Sequence, residues 1–265
     1  MHIDELFNQV KVADSDTTLS FPANWCQGRT AFGGLSASML YVAIRQRVSS
    51  DRVLRALNTS FIGPLLAETP FSIEVEVLRE GKNTSVVQAK AIQNGEVCVL
   101  TQASLGTSRE SEINVASNTR HQMQAPNPKA SIKYVENMMP AFFQHVDLNV
   151  SKGSMPFSGS ESSELSGWMR FASAPDVFTD AHLIALADAW PPCVLQMAKK
   201  PAPASTLTWN LEFIHPHSEI TADNWIAYEA KTRQAAGGYA HTEANLWDEQ
   251  GELIAISRQC VTVFA

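Results

Sequence analysis

Apolar and polar residues alternate with period two along much of this chain. In PFSIEVEVL (70–78), Phe71, Ile73, Val75 and Val77 alternate with polar partners, as a half-buried strand requires. EGKN (80–83) and QNGE (93–96) carry turn residues. TSVVQAKAIQ and EVCVLTQASL therefore read as the next two strands of an antiparallel meander. Farther along, DNWIAYEAKTR, GGYAHTEANLW and ELIAISRQCVTVF repeat the arrangement, with DEQG as a turn. Two segments break the alternation. FGGLSASMLYVAIRQRV (32–48) spaces Leu35, Met39, Val42 and Ile44 compatibly with a helix, and DAHLIALADAW (180–190) is a second apolar helix, stopped by Pro191 and Pro192. The first opens on two adjacent glycines, each costing up to about 1 kcal/mol in a helix relative to alanine.

The pattern occurs twice because the chain contains an internal repeat. NTSFIGP, starting at Asn58, returns as NLEFIHP at Asn210, an offset of 152 (58 to 210); GEVCVLT at Gly95 returns as GELIAIS at Gly251, an offset of 156 (95 to 251). Each half reads as an apolar helix followed by strands. Between them TSRESEINVASNTRHQMQAPNPKAS is polar and rich in Ser, Asn and Pro, as a surface linker is. The expected organisation is an N-terminal unit over 1–106, a linker over 107–131 and a C-terminal unit over 132–265. A second irregular stretch, SKGSMPFSGSESSELSG (151–167), reads either as a mobile loop near the site or as a long connection.

Composition narrows the function. The chain has 265 residues, 45% of them apolar, enough for a substantial core. A net charge of −7 argues against nucleic acid or an anionic membrane as a partner. Cys26, Cys98, Cys193 and Cys260 show no CxxC spacing, and the last three sit among apolar neighbours, as reduced core cysteines do. The N-terminal MHIDELFNQV has an acidic pair where a signal peptide carries positive charge, and no apolar run approaches the roughly 18 residues of a membrane span. The expectation is a cytoplasmic protein. GxSxG, GxxxxGK[ST] and GxGxxG are all absent, which disfavours a serine hydrolase and the usual nucleotide sites.

A helix with an antiparallel sheet, duplicated in tandem, resembles the α+β double hot-dog fold. GRTAFGG (28–34), ALADAWPP (185–192), TLTWNLEFIHP (206–216) and RQAAGGYAHTEANLWDEQGELIAISRQ (233–259) closely resemble the type II, TesB-like acyl-CoA thioesterases, over nearly the whole chain from about Phe21 to Phe264. The resemblance implies hydrolysis of acyl-CoA, or of another pantetheine thioester, without cofactor or metal. It also implies two halves packed as a pseudo-dimer with one site per chain, and association of chains into a homo-oligomer, a dimer of double hot-dogs.

In single hot-dog thioesterases a pair of glycines on the central helix is followed seven residues later by an acid. Here FGGLSASMLY falls on TDAHLIALAD: the first half keeps Gly33 and Gly34 but has Tyr41 in the acid's place, and the second keeps Asp188 but has Asp180 and Ala181 for the glycines. The losses are complementary, which predicts that Gly34 and Asp188 meet across one site. The resemblance further assigns Asp188, Thr206 and Gln259 as the group that holds the attacking water, and the backbone amides of Gly33 and Gly34 as donors to the thioester oxygen. At the repeat's equivalent positions the first half has Leu54 for Thr206 and Ala103 for Gln259. Leu186, Ala187, Ala189 and Trp190 around Asp188 would desolvate its carboxyl and raise its pKa, suiting it as a base. Attack by Asp188 itself, through an anhydride, is the other chemistry open to it.

Other candidates read more plainly. His215 and His217 form an HxH pair beside Pro216 and read as exposed loop histidines. Trp25 and Trp190 read as core aromatics with an acyl pocket as the alternative, and Arg45, Arg47, Arg52 and Arg55 as a solvated helix end, with CoA phosphates as the alternative. A hot-dog enoyl-CoA hydratase or dehydratase, which would need an Asp and His pair, has only His182 near Asp188, on a different helix face. A non-catalytic acyl-CoA binder is the remaining alternative.

Overall fold

A computed structural model describes residues 1–13 and 17–264. Helix α1 (Ile3–Val12) opens the chain, with His2 as its cap: the Asp4 amide donates to the His2 ring and the His2 amide to Glu5. Ile3, Leu6, Phe7 and Val10 make its buried stripe, at helical spacing. The reading of strands and repeats assigned no element here. A short hairpin, β1 (Cys26–Gln27) with β2 (Thr30–Ala31), leads into α2 (Gly33–Arg45), in which every residue from Gly34 to Ile44 is buried.

Four strands follow: β3 (Val53–Phe61), β4 (Ser72–Glu80), β5 (Thr84–Gln93) and β6 (Glu96–Gly106). After the connection come β7 (Val146–Lys152), β8 (Leu165–Phe171), α3 (Asp180–Ala187), β9 (Ala204–Phe213), β10 (Ile226–Ala236), β11 (Tyr239–Trp247) and β12 (Leu253–Val263). The larger sheet is antiparallel in the order β4-β5-β6-β3-β9-β12-β11-β10-β8-β7. The halves meet at β3 and β9, where Asn58 pairs with Asn210 and accepts a 2.8 Å hydrogen bond from its side-chain amide. These are the residues that open the repeated motif. The pseudo-twofold axis therefore runs between the two asparagines, and the double hot-dog fold follows.

One face of the sheet is covered by α2 and α3, which lie antiparallel to each other: Gly33 faces Asp188, and Tyr41 faces Asp180. On the opposite face, Trp168, Trp225, Ala227 and Trp247 form a separate cluster, and Met123 from the connecting segment packs on it. That segment is tied down by Trp247, which donates to the Thr119 carbonyl at 3.2 Å, and by Trp168, which donates to the Gln124 carbonyl at 2.9 Å. It runs over the outside, as its polarity predicts.

The irregular stretch 151–167 is the β7 to β8 hairpin connection, with its ends in those strands. Buried Gln196, in the turn of 3-10 helix that follows α3 (Cys193–Met197), accepts from the Ser154 amide and donates to the Glu164 carbonyl, so the connection is pinned rather than loose. Two expectations need correction. Cys260 is not a core residue: it is half-buried and lies in register with Thr208 and His241, whereas Cys26 is buried. Arg52 does not belong to a solvated helix end, because its guanidinium is buried, bonding Ser85 and the Gly81 carbonyl.

Gly34 sets the spacing between the two helices. A β-carbon there would stand 2.5 Å from the Ala185 carbonyl oxygen and 2.7 Å from the Phe32 ring. Gly34→Ala should lose about 1–3 kcal/mol of stability in chemical denaturation, as overpacked cores do. Gly63→Ala, whose nearest neighbour would be 3.8 Å away, should be close to neutral. Equal stability of the two variants would refute the contact.

Candidate active site

Where α2 begins, α3 ends. The first turn of α2 leaves backbone amides without partners inside the helix, and its dipole places partial positive charge there. Asp188 is the residue that caps the end of α3 (φ −102°, ψ 4°), so the helix ends at Ala187, four residues before Pro191, rather than running to Trp190. Its carboxylate points across to α2. A β-carbon on Gly33 would lie 2.7 Å from Asp188 Oδ2, so only a bare backbone admits the carboxylate at that distance.

Asp188 ends a hydrogen-bonded chain. Thr206 Oγ1 donates to Gln259 Oε1 at 3.0 Å, and Gln259 Nε2 donates to Asp188 Oδ1 at 2.9 Å. The direction is set by charge: a flipped Gln259 amide would aim its oxygen at a carboxylate. Strand register brings the two side chains together. β9 and β12 are paired, and a bulge at Leu207 places Thr206 opposite Val261, beside Gln259. The three residues assigned from the resemblance thus form one contiguous relay in which Thr206 orients Gln259 and Gln259 orients Asp188.

Burial raises the Asp188 carboxyl from 3.8 to about 7, opposed by the Gln259 hydrogen bond and by the backbone amide of Gly34. That amide therefore lies close enough to Asp188 to favour its charged form. Tyr228, packed deeper, has its hydroxyl pushed far upward by burial, with the charges of Cys193 and Asp188 adding to the effect. Trp190 stacks on Tyr228 (centroids 5.9 Å, 15°) and lies against Gly167, where a β-carbon would stand 2.7 Å from its ring. The site's far wall is thus aromatic.

At the opposite end of the helix pair the pseudo-equivalent residues satisfy each other. The Tyr41 hydroxyl donates to Asp180 Oδ2 at 3.1 Å, so the second pseudo-site contains neither bare glycines nor a free acid. His182 is committed elsewhere. Its Nδ1 accepts from the Thr179 amide, which leaves the Nε2 proton for Asp4 Oδ1 at 3.0 Å. Burial lowers its pKa, against the Asp4 interaction. The Asp and His pair required by the hydratase reading is not formed at Asp188.

The other candidates fall outside the site. Trp25 is core, stacked on His145 at 3.9 Å and donating to the Met1 carbonyl. Arg45 bonds the Val48 and Ser49 carbonyls beyond α2, and Arg55 bonds Ser108. His215 and His217 stack at 4.8 Å and are half-buried rather than exposed. Among the described residues no group of three metal-ligating side chains occurs, and no helix is long and apolar enough to cross a membrane.

A carboxyl held near 7 by burial is a stability statement as well. The folded state binds a proton that the unfolded state releases between pH 3.8 and about 7, so this group's contribution to stability declines as pH rises through that window. Asp188→Asn should therefore raise the melting temperature at pH 8 and change it little at pH 4. A lower melting temperature than wild type at pH 8 would contradict the buried charge.

Comparisons with known proteins agree with this architecture. Residues 21–106 match the family described as acyl-CoA thioesterase N-terminal domain, and residues 117–263 that described as acyl-CoA thioesterase C-terminal domain. Acyl-CoA thioesterase 2 of Haemophilus influenzae is 23% identical over 255 residues, covering 87% of this chain and 86% of that protein. A hot-dog protein of unknown function from Alicyclobacillus acidocaldarius superposes with a TM-score of 0.79 at 23% identity, over 98% of each chain. The acyl-CoA thioesterase II TesB2 of Mycobacterium marinum gives 0.73 at 20% identity, again over 98% of each. Two consecutive domain matches over most of the chain, on a double hot-dog fold, show that this protein belongs to the TesB-like acyl-CoA thioesterase family.

Proposed function

We propose that the protein hydrolyses acyl-CoA, or a related pantetheine thioester, with a water activated by Asp188 and oriented by Gln259 and Thr206. The observation that carries this reading is the relay from Thr206 through Gln259 to a carboxyl raised to about 7 at the glycine end of α2. Gln259 keeps a second N–H, and Thr206, having donated its proton, keeps lone pairs; together with Asp188 they offer a water one acceptor for its proton and two orienting partners. Asp188 takes that proton as the water oxygen attacks the thioester carbon. The resulting oxyanion sits at the start of α2, where the Gly33 amide and the helix dipole oppose its charge. Collapse breaks the carbon–sulfur bond, and Asp188 returns the proton to the departing thiolate, giving acid and thiol.

Gly33 has a second role, since a side chain there would displace the base. Of the glycine pair, the reading gives Gly33 to the substrate and Gly34 to Asp188. Direct attack by Asp188 is less favoured, because Gln259 already occupies Oδ1 and the raised pKa suits a base better than a carboxylate nucleophile.

Thiol release from acyl-CoA substrates of graded chain length tests the reading. A base near 7 requires kcat/KM to fall tenfold per pH unit below about 7 and to level off above it. Asp188→Asn should lower kcat by about 10²- to 10⁴-fold, the usual contribution of a positioned acid or base. Wild-type protein that binds acyl-CoA without turnover would favour the non-catalytic alternative, and an Asp188→Asn variant as active as wild type would remove Asp188 from the mechanism.

A further inference from the structure

The polar row that begins at Gln259 continues across the sheet. Gln259 lies in register with Thr242 of β11, and Thr242 with Thr232 of β10. Gln259 touches Asp188, so this side of the row is the helix-covered face; along β11 the same face carries buried Ala240, Ala244 and Leu246, and along β10 buried Ile226, Tyr228 and Ala230. Thr242 and Thr232 break those buried series, for both are partly exposed. They continue the polar row from Gln259 toward the exposed β10 to β11 hairpin.

The repeat provides an internal control. In the first half the corresponding row is Ala103, Val87 and Val77, paired in the same order, with a bulge directly after Val77 as there is after Thr232. Ala103 and Val87 are fully buried. Two copies of one framework therefore differ in a concerted way, Gln-Thr-Thr against Ala-Val-Val, and the polar version stands on the side that holds Asp188. Threonine and valine are nearly isosteric and both favour strands, so the difference supplies hydroxyls rather than shape or strand propensity.

We infer that Thr242 and Thr232 form a track for the pantetheine arm of the thioester, each hydroxyl bonding one of its two amides. The inference rests on the proposed thioesterase reading and names the residues that grip the leaving group. The spacing fits. Neighbouring strands lie about 4.8 Å apart, and the two amide nitrogens of pantetheine, separated by four bonds, stand about 5 Å apart when extended. With the thioester carbonyl at Asp188, the first amide lies over Thr242 and the second over Thr232. The Thr232 hydroxyl meets the Cys193 thiol at 3.4 Å, a weak partner that a ligand amide displaces readily. The arm then leaves along the open end of the strands while its nucleotide stays in solvent, and the acyl chain takes the aromatic side of Asp188.

The test uses three thioesters of one acyl group: the CoA ester with both amides, the N-acetylcysteamine ester with the first amide only, and the ethanethiol ester with none. Relative to the ethanethiol ester, Thr242→Val should reduce kcat/KM roughly fivefold for both amide-bearing substrates, mainly through KM, and Thr232→Val roughly fivefold for the CoA ester alone, the ordinary worth of one hydrogen bond. Thr242→Ser and Thr232→Ser, which keep the hydroxyls, should restore the wild-type ratios. Unchanged ratios, or equal losses on all three esters, overturn the track while leaving the thioesterase reading intact. If wild type hydrolyses none of them, that reading falls, and calorimetric CoA binding decides the track: weaker binding by the valine variants supports it, and equal binding overturns it.

Discussion

The close approach of one helix start to another helix end is the constraint on which the rest of this structure depends. Gly33 and Gly34 allow α2 to come within contact of Ala185 and Asp188, distances that no side chain at either position permits. Asp188 then lies at the negative end of its own helix and at the positive end of the other. These dipole effects are each worth about 0.3–1 kcal/mol and oppose one another. Raising a carboxyl from 3.8 to about 7 corresponds to roughly 4 kcal/mol, so burial, and not the helices' electrostatics, decides its protonation. Gln259 and the Gly34 amide moderate that cost without removing it. The result is a carboxyl that changes charge near neutrality.

Duplication explains why one such site exists and not two. The pseudo-twofold axis at Asn58 and Asn210 relates β3, β4, β5 and β6 to β9, β10, β11 and β12, yet the polar groups follow only one copy. At the other end Tyr41 and Asp180 neutralise each other's hydrogen-bonding needs, and Leu54 and Ala103, both fully buried, fill the places of Thr206 and Gln259. A second relay would add another buried carboxyl, and each such group lowers stability at the pH where it functions. One copy holds the hydrogen-bonded relay while its twin contributes core.

Much of this was legible in the residues. The repeat's offset of 152 is the register of Asn58 on Asn210 itself, and the period-two stretches are strands where alternation places them. The complementary losses at Gly33, Gly34, Tyr41 and Asp188 pointed to a meeting that the helix pair makes. What stayed hidden depended on tertiary context. Arg52 reads like its exposed neighbours until Ser85 and the Gly81 carbonyl surround it. Helix α1, at ten residues, is too short to be marked by more than one stripe. Thr232 and Thr242 are ordinary strand residues by type, and only register shows that they continue from Gln259.

Thr206 shows most plainly how a local irregularity decides which side chain faces inward. Trp209, Leu211 and Phe213 point into the core, so strict alternation along β9 would turn Leu207 inward and Thr206 outward. The bulge removes Leu207 from the ladder, leaving it 39% exposed, and Thr206 moves to the inner face opposite Val261. β3 has the same bulge at Arg55, and there it brings in Leu54, which is fully buried. The device is therefore a property of the duplicated framework, equally able to deliver a hydroxyl or a methyl group to that point. Whether a half carries the relay was left to the side chain at the turned position, together with Gln259 or Ala103 beside it, while the backbone that aims them is shared by both.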